Sequence, residues 1–351
     1  MKKIINLAHH VDDYECMWNG IEDMYMAKSH ENIPSFLFFS ISAIGKFCYL
    51  KTNKSKIKRM VSFGDGRTKK MYNALSHIVG FTYKCIEGRT FSYTLKKAKQ
   101  QIDMEKPVVL GPLDMYYLEY YPKMYLKEHI PYHYVLMIGY DEEGVFIYDC
   151  GKDKPQKLSY ESLEKSLNIV KTDLGDKNSI FIIDFNDKVN NVLEIAKKSL
   201  QIKAEEFLFP PTNFLGIKGM YKLAGEIDNW KDELNRDDLN GLILNFLNFT
   251  GTVPCLPGRM KKVEESDIKH MAQREKLACV LKELGEKYKI EQWIKSSNEF
   301  LKSGAKIEEI VEDMISYMLK EKNELNNYSE IIKDIAEMEK QGFVYMLEGC
   351  R

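Results

Sequence analysis

"HYVLMIGYDEEGVFIYDCG", residues 133 to 151, sets two apolar runs on either side of the polar turn DEEG. Runs rich in β-branched and aromatic residues, joined by a short glycine-containing loop, form an antiparallel hairpin. The outer ends of such strands lie side by side. His133 opens the first strand and Asp149 ends the second, so the two are expected as neighbours on one edge of a sheet. A histidine beside a carboxylate is an oriented base.

Working outward, "KPVVLGPLD" before the hairpin and "NSIFIIDF" (178 to 185) after it read as further strands, as do "FLFFSIS", "FCYLKT", "IKRMVSF" and "FTYKCIE", while "KKIINLA" is short and apolar. Helices are expected where apolar residues return at helical spacing: in "CMWNGIEDMYMA", after the turn "GDG" at 64 to 66, in "TFSYTLKKAKQQIDMEK" with Thr90 or Ser92 as cap, and in "KLSYESLEKSL" from Ser159. After Phe185 the texture becomes helical and Glu/Lys-rich as far as Arg351. Its irregular breaks are "FPPTNFLG" (209 to 216) and "TGTVPCLPGR" (250 to 259). The expected organisation is a catalytic domain over 1–187 and a helical domain over 188–351.

Of the 351 residues, 44% are hydrophobic and 29% charged, and 51 basic residues balance 52 acidic ones. Such a chain buries a sizeable core, and with no basic face it is not expected to hold nucleic acid. Its longest apolar runs fall far short of the roughly 20 residues that a membrane helix needs, and "MKKIINLAHH" has no signal-peptide core. No membrane partner is expected, and the sequence reads as cytoplasmic. The cysteines at 16, 48, 85, 150, 255, 279 and 350 make no CxxC pair, against a structural zinc site or a disulfide framework.

One cysteine stands in a polar setting. "HHVDDYECMWNG", residues 9 to 20, places Cys16 at a loop-to-helix junction, where the positive end of the helix favours thiolate over thiol. Taken alone, a cysteine at a helix start is usually a small packed side chain, and a histidine at a strand edge is usually structural. Cys16 on an early helix, with His133 and Asp149 on sheet strands, is nonetheless the layout of a papain-like thiol site, and the conjunction favours catalysis. His9 and His10 with Asp12 and Asp13 are not expected to bind a metal, because adjacent histidines on an extended segment point to opposite faces. The tyrosines of "DMYYLEYYPKMY" (114 to 125) either line an apolar acyl channel or cover the sheet.

The residues around the cysteine, "PVVLGPLDMYYLEY" with Asp114, "HYVLMIGYD" and "VFIYDCG…KLSYESLEKSL" resemble the butirosin biosynthesis protein H family, acyltransferases with a papain-like, C39-peptidase-like fold. "GIKGMYKLAGEIDNW" and "GTVPCLPGRMKKVEESDIKHMAQREKL" resemble the family's second domain. One departure is "FFSISAIGKF", which keeps only Gly45 of a glycine-rich turn and places Ser40, Ser42 and Ala43 where glycines are common. The fold implied is α+β: a papain-like domain with an antiparallel sheet, and a C-terminal helical region packed on it.

The resemblance implies a cysteine-dependent acyltransferase. It would take an acyl group from the phosphopantetheine thioester of an acyl or peptidyl carrier protein and pass it to an amine, with no cofactor of its own. Cys16 would carry the acyl group, His133 move the protons and Asp149 hold the imidazole. The oxyanion would meet the Cys16 amide and a donor upstream, with His10 the first candidate and Tyr14 the second. Asp114, Tyr116, Tyr117 and Tyr120 are the channel candidates. A composition rich in Lys, Ile and Asn, with the altered glycine turn, is also similar to the cysteine-protease-like amide synthetases of polythioamide (closthioamide) assembly, which join carrier-bound acyl chains to a diamine. The competing readings are a peptidase or amidase using the same three residues with water, and a catalytically idle binding protein.

Overall fold

The computed structural model describes the chain except residues 1, 13–14, 53, 55–56, 252–259 and 267–268, which include the candidate Tyr14 and most of the break at 250 to 259. In chain order the first elements are β1 (Lys3–Ile4), α1 (Asn19–Ser29), α2 (Leu37–Ser42), β2 (Ile44–Lys51), β3 (Arg59–Gly64), α3 (Thr68–Val79), β4 (Phe81–Ile86) and α4 (Phe91–Asp103). Then come β5 (Val108–Leu113), β6 (His133–Tyr140), β7 (Gly144–Tyr148), β8 (Gln156–Ser159), α5 (Tyr160–Leu167) and β9 (Ile180–Phe185). The remainder is helical: α6 (Val192–Leu208), α7 (Gly216–Glu226), α8 (Trp230–Glu233), α9 (Arg236–Thr250), α10 (Arg274–Tyr288), α11 (Glu291–Met318) and α12 (Ser329–Cys350). Among the described residues no helix is long and apolar enough to cross a membrane.

The chain divides into two compact units, one of residues 1–39 and 66–195, the other of 40–65 and 196–351. This differs from the single boundary expected near 187. Residues 40–65 form the antiparallel hairpin of β2 and β3, and this hairpin packs with the helices of the second unit, chiefly α7 and α9. The Val61 amide donates to the Asn245 side chain on α9 at 3.0 Å, and the Tyr49 amide to the Phe214 carbonyl at 2.8 Å. A composition change along the chain marks where helices begin, but it cannot show that an earlier hairpin belongs with them.

The first unit is built on an antiparallel sheet of order β4-β9-β5-β6-β7-β8. β1 pairs with the far end of β6 (Ile4 with Gly139), beyond the point where β5 stops at Val108 opposite Met137. The hairpin of β6 and β7 is present as read, its turn fastened by the Asp141 carboxylate, which accepts from the amides of Glu143 and Gly144 at 2.8 and 3.0 Å. β6 is buried along almost its whole length. Val135, Met137 and Ile147 face a core shared with Ala98 and Ile102 of α4 and Leu163 of α5. On the opposite face, Gly20 of α1 lies against Leu136, and Trp18, Tyr72, Phe181 and Tyr134 form a chain of ring contacts. Helices on both faces explain why the strand reads as a continuous apolar run rather than an alternating one. Thr90 and Ser159 cap α4 and α5, accepting from the amides of Tyr93 and Ser162.

"FLFFSIS" departs from its strand reading, since residues 37 to 42 are helical. A short apolar run cannot be assigned by period alone. What decides it is remote in sequence: the Asp12 carboxylate accepts from the Phe36 amide and Glu22 from the Phe38 amide, both at 2.9 Å. Carboxylates at the N–H end of a helix satisfy its orphan donors and complement its dipole.

The second unit is centred on a buried ion pair. Arg274 and Glu339 are both fully buried, joined through Nε to Oε1 at 2.7 Å and Nη2 to Oε2 at 3.0 Å. Arg274 also donates to the Phe63 carbonyl and Ser303 to Glu339, so α10, α11, α12 and β3 meet at one hydrogen-bonded centre.

Candidate active site

Cys16 lies in the turn that leads into α1. The Glu15 carbonyl accepts from the amides of Trp18 and Asn19 at 2.8 and 2.9 Å, so the helical bonding starts at Glu15 and Cys16 is its first turn residue. At that position a backbone N–H has no carbonyl within its own helix. The Tyr72 hydroxyl on α3 donates to the Met17 carbonyl at 2.6 Å and fixes the turn from behind. A Cβ on Gly20 would stand 2.7 Å from the Leu136 Cβ, so α1 rests directly on the strand that carries His133. The Cys16 sulfur is half-buried, 3.9 Å from the Tyr132 carbonyl.

The ends of the hairpin bring His133 and Asp149 together. With Leu136 opposite Tyr148, the two residues stand diagonally across the strand ends, and His133 Nε2 is 2.7 Å from Asp149 Oδ2. Nδ1 is then the ring nitrogen left for a thiol, and the Cys16 side chain is near enough to act on the imidazole's charge. Burial alone would push His133 down. The charge and hydrogen bond of Asp149, then those of Cys16, outweigh burial and hold it up at about 10. Burial likewise pushes Asp149 up, but His133 and the hydroxyls of Tyr120 and Tyr121 bring it below its ordinary value. Those hydroxyls donate to Oδ2 at 2.7 Å and Oδ1 at 3.0 Å, and the Tyr121 ring stands edge-on to His133.

In the segment 114 to 130 the candidate channel side chains are engaged within the fold. Asp114 accepts from the amides of Tyr116 and Ile130 and from His129 Nδ1 at 2.6 Å, closing the loop at its base. Tyr116 stacks on His129 at 4.1 Å and Tyr117 packs edge-on to both. Tyr120 is committed to Asp149. Tyr121, absent from the sequence candidates, shares that task; its only sequence signal is its place beside Tyr120 in "EYYP".

His10, the first oxyanion candidate, is surrounded by carboxylates. Its Nδ1 lies 2.6 Å from Asp23 Oδ1 and its Nε2 3.2 Å from Glu22 Oε2 and 3.4 Å from Asp12 Oδ2, so neither nitrogen is free to meet an oxyanion. Burial alone would lower its pKa, and hydrogen bonds to Asp12, Asp23 and Glu22 outweigh burial and raise it to about 12. The opposite-face argument for His9 and His10 fails as well. Both rings converge on Asp23, whose Oδ2 is 2.6 Å from His9 Nδ1, while His9 Nε2 faces the Lys152 carbonyl at 2.9 Å. Tyr14 lies outside the described residues.

The other thiols sit differently. Burial, then the adjacent Asp149 carboxylate, pushes Cys150 well up; burial raises Cys85, and raises Cys350 to about 11. Cys279 is exposed on α10.

Residues 15–150 match the family described as Butirosin biosynthesis protein H, N-terminal, a segment that contains Cys16, His133 and Asp149. Over that segment the chain is similar to that family. Among solved structures it is similar to a C39-like peptidase from Bacillus anthracis, at 14% identity and a TM-score of 0.34, over 54% of this chain and 100% of the other. No curated protein matches the chain. The thiol beside a carboxylate-held imidazole, within a segment resembling a biosynthetic family, is the arrangement of a cysteine-dependent enzyme.

Proposed function

We propose that the chain is an amide-forming acyltransferase with Cys16 as nucleophile, His133 as proton carrier and Asp149 as the carboxylate that orients it. The observation that carries this reading is the His133–Asp149 pair beside the Cys16 sulfur, inside the segment that resembles a biosynthesis protein.

His133 accepts the Cys16 proton, and the thiolate attacks the carbonyl carbon of a carrier-bound thioester. The oxygen turns negative and meets the Cys16 N–H at the helix start. The donor C–S bond breaks, the phosphopantetheine sulfur leaves with the proton from His133, and the acyl group stays on Cys16. An amine then attacks the acyl-enzyme, His133 takes its proton, and the Cys16 sulfur leaves as the amide forms. Thioester exchange is nearly balanced and aminolysis is downhill, so no nucleotide is consumed. The partners implied are an acyl or peptidyl carrier protein and a small amine, with a diamine as in polythioamide assembly the more specific form. Asp149 keeps the ring in the tautomer each step requires.

Intact-mass measurement after mixing with acyl-loaded carrier protein tests this. The wild-type chain gains the mass of one acyl group, Cys16→Ala gains none, and added amine discharges the adduct as amide. Unchanged product formation by Cys16→Ala overturns the reading, and discharge to free acid regardless of added amine replaces it with a hydrolase.

A further inference from the structure

The segment leading to Cys16 buries more carboxylates than the mechanism uses. His10 Nε2, one Asp12 oxygen and one Glu22 oxygen all lie within 4.8 Å of one another. Ligand atoms about 2.1 Å from a common cation stand roughly 3 to 4.2 Å apart, and the observed 3.2 and 3.4 Å from His10 Nε2 fall in that range. His10 Nδ1 is bonded to Asp23 Oδ1 at 2.6 Å. That is how proteins aim the other nitrogen of a metal-binding histidine, with an outer carboxylate fixing the ring. Asp23 is itself held by His9. Glu22 is steadied through Oε1 by the Phe38 amide, which leaves Oε2 facing His10.

A second observation is independent of this grouping. Glu15 is only 1% exposed, and among the described residues its carboxyl oxygens meet no N–H or hydroxyl donor, only the carboxyls of Asp12 and Glu22. The charged groups facing it are the carboxyls of Glu22 and Asp12. Buried carboxyl oxygens are almost always satisfied, and one left bare among other carboxylates calls for a partner. A divalent cation held by His10, Asp12 and Glu22 would set a positive charge beside it.

We propose that His10 Nε2, Asp12 and Glu22, with the buried Glu15 beside them, form the site of a divalent transition-metal cation of the Mn2+ or Zn2+ kind, next to the turn that carries Cys16. One imidazole among carboxylates suits these ions, whereas Ca2+ takes oxygen ligands alone. The role is positional: the cation ties His10 and Asp12 to Glu22 on α1, close to the nucleophile.

The test uses the full chain with Cys16→Ala, so that no thiol at the active site competes for metal. After incubation with Mn2+ or Zn2+ and exhaustive dialysis, metal is counted by mass spectrometry and the melt recorded with and without EDTA. About one equivalent of either ion is expected to remain, and with free metal near a thousand times Kd the melt rises by ~5 °C. Glu15→Gln in the same background should keep its circular dichroism spectrum but lose the bound metal and the metal-dependent rise. Should that variant not fold, Asp23→Asn serves instead, with retention weakened about 10- to 100-fold. Failure of both ions to bind, or wild-type-like binding by a folded variant, overturns the site.

Discussion

His133 Nε2 and Asp149 Oδ2 stand 2.7 Å apart at the ends of paired strands, the histidine 7% exposed and the aspartate 1%. At that depth the carboxylate fixes which ring nitrogen carries the proton. Asp149→Asn is expected to keep the fold and lower Cys16 acylation by ~10^3- to 10^4-fold. Single-turnover acylation followed by mass spectrometry measures it, and a loss of less than tenfold would remove Asp149 from the mechanism.

The same pair gives stability a pH window. His133 is raised from 6.5 to about 10, so its contribution is complete below 6.5 and fades as pH climbs through 10. Asp149 is depressed below 3.8, so its contribution is present above 3.8 and fades as pH falls further. Urea melts of wild type and Asp149→Asn should therefore differ most between these limits and converge above pH 10. A difference that does not change from pH 7 to 10.5 would mean the imidazolium is not what the aspartate stabilises.

Tyr120→Phe and Tyr121→Phe each remove one hydroxyl bonded to the buried carboxylate. Hydrogen bonds to charged groups contribute about 1.5–3 kcal/mol, so each variant should lose roughly tenfold or more in acylation while its acceptor KM stays near wild type. An altered KM with unchanged kcat would instead make these tyrosines substrate contacts.

Gly20→Ala puts a methyl group against Leu136 where α1 seats on β6. Overpacking of this kind costs about 1–3 kcal/mol. A lower melting temperature together with slower acylation is expected, because the displaced helix carries Cys16 with it. Slower acylation with unchanged stability would point to a direct role for the site's shape.

Iodoacetamide labelling near neutral pH compares Cys16 with the exposed Cys279. Cys16 should react faster, and His133→Ala should slow Cys16 while leaving Cys279 alone. Equal rates at the two thiols would sink the nucleophile assignment.

The hairpin, the meeting of His133 and Asp149 at its ends and the capped helices α4 and α5 were legible in the sequence because local rules decide them: period, turn chemistry and capping hydroxyls. What was not legible depends on side chains meeting from afar. Asp12 and Glu22 turn "FLFFSIS" into a helix, Asp23 gathers two histidines that an extended segment would have separated, and Tyr120 and Tyr121 turn towards Asp149. Each is a polar group satisfied across the fold, and spacing along a chain carries no trace of such a partner.

The passage of residues 40–65 into the second unit also bears on how the protein is made. As the chain emerges from the ribosome, β2 and β3 can pair with each other, but the helices that cover them lie beyond Ala196. The hairpin therefore waits, with one face bare, while the sheet that carries His133 and Asp149 is completed. A fragment ending at residue 187 would hold Cys16, His133 and Asp149 yet leave that hairpin permanently uncovered, so aggregation in such a fragment would say nothing about those three residues.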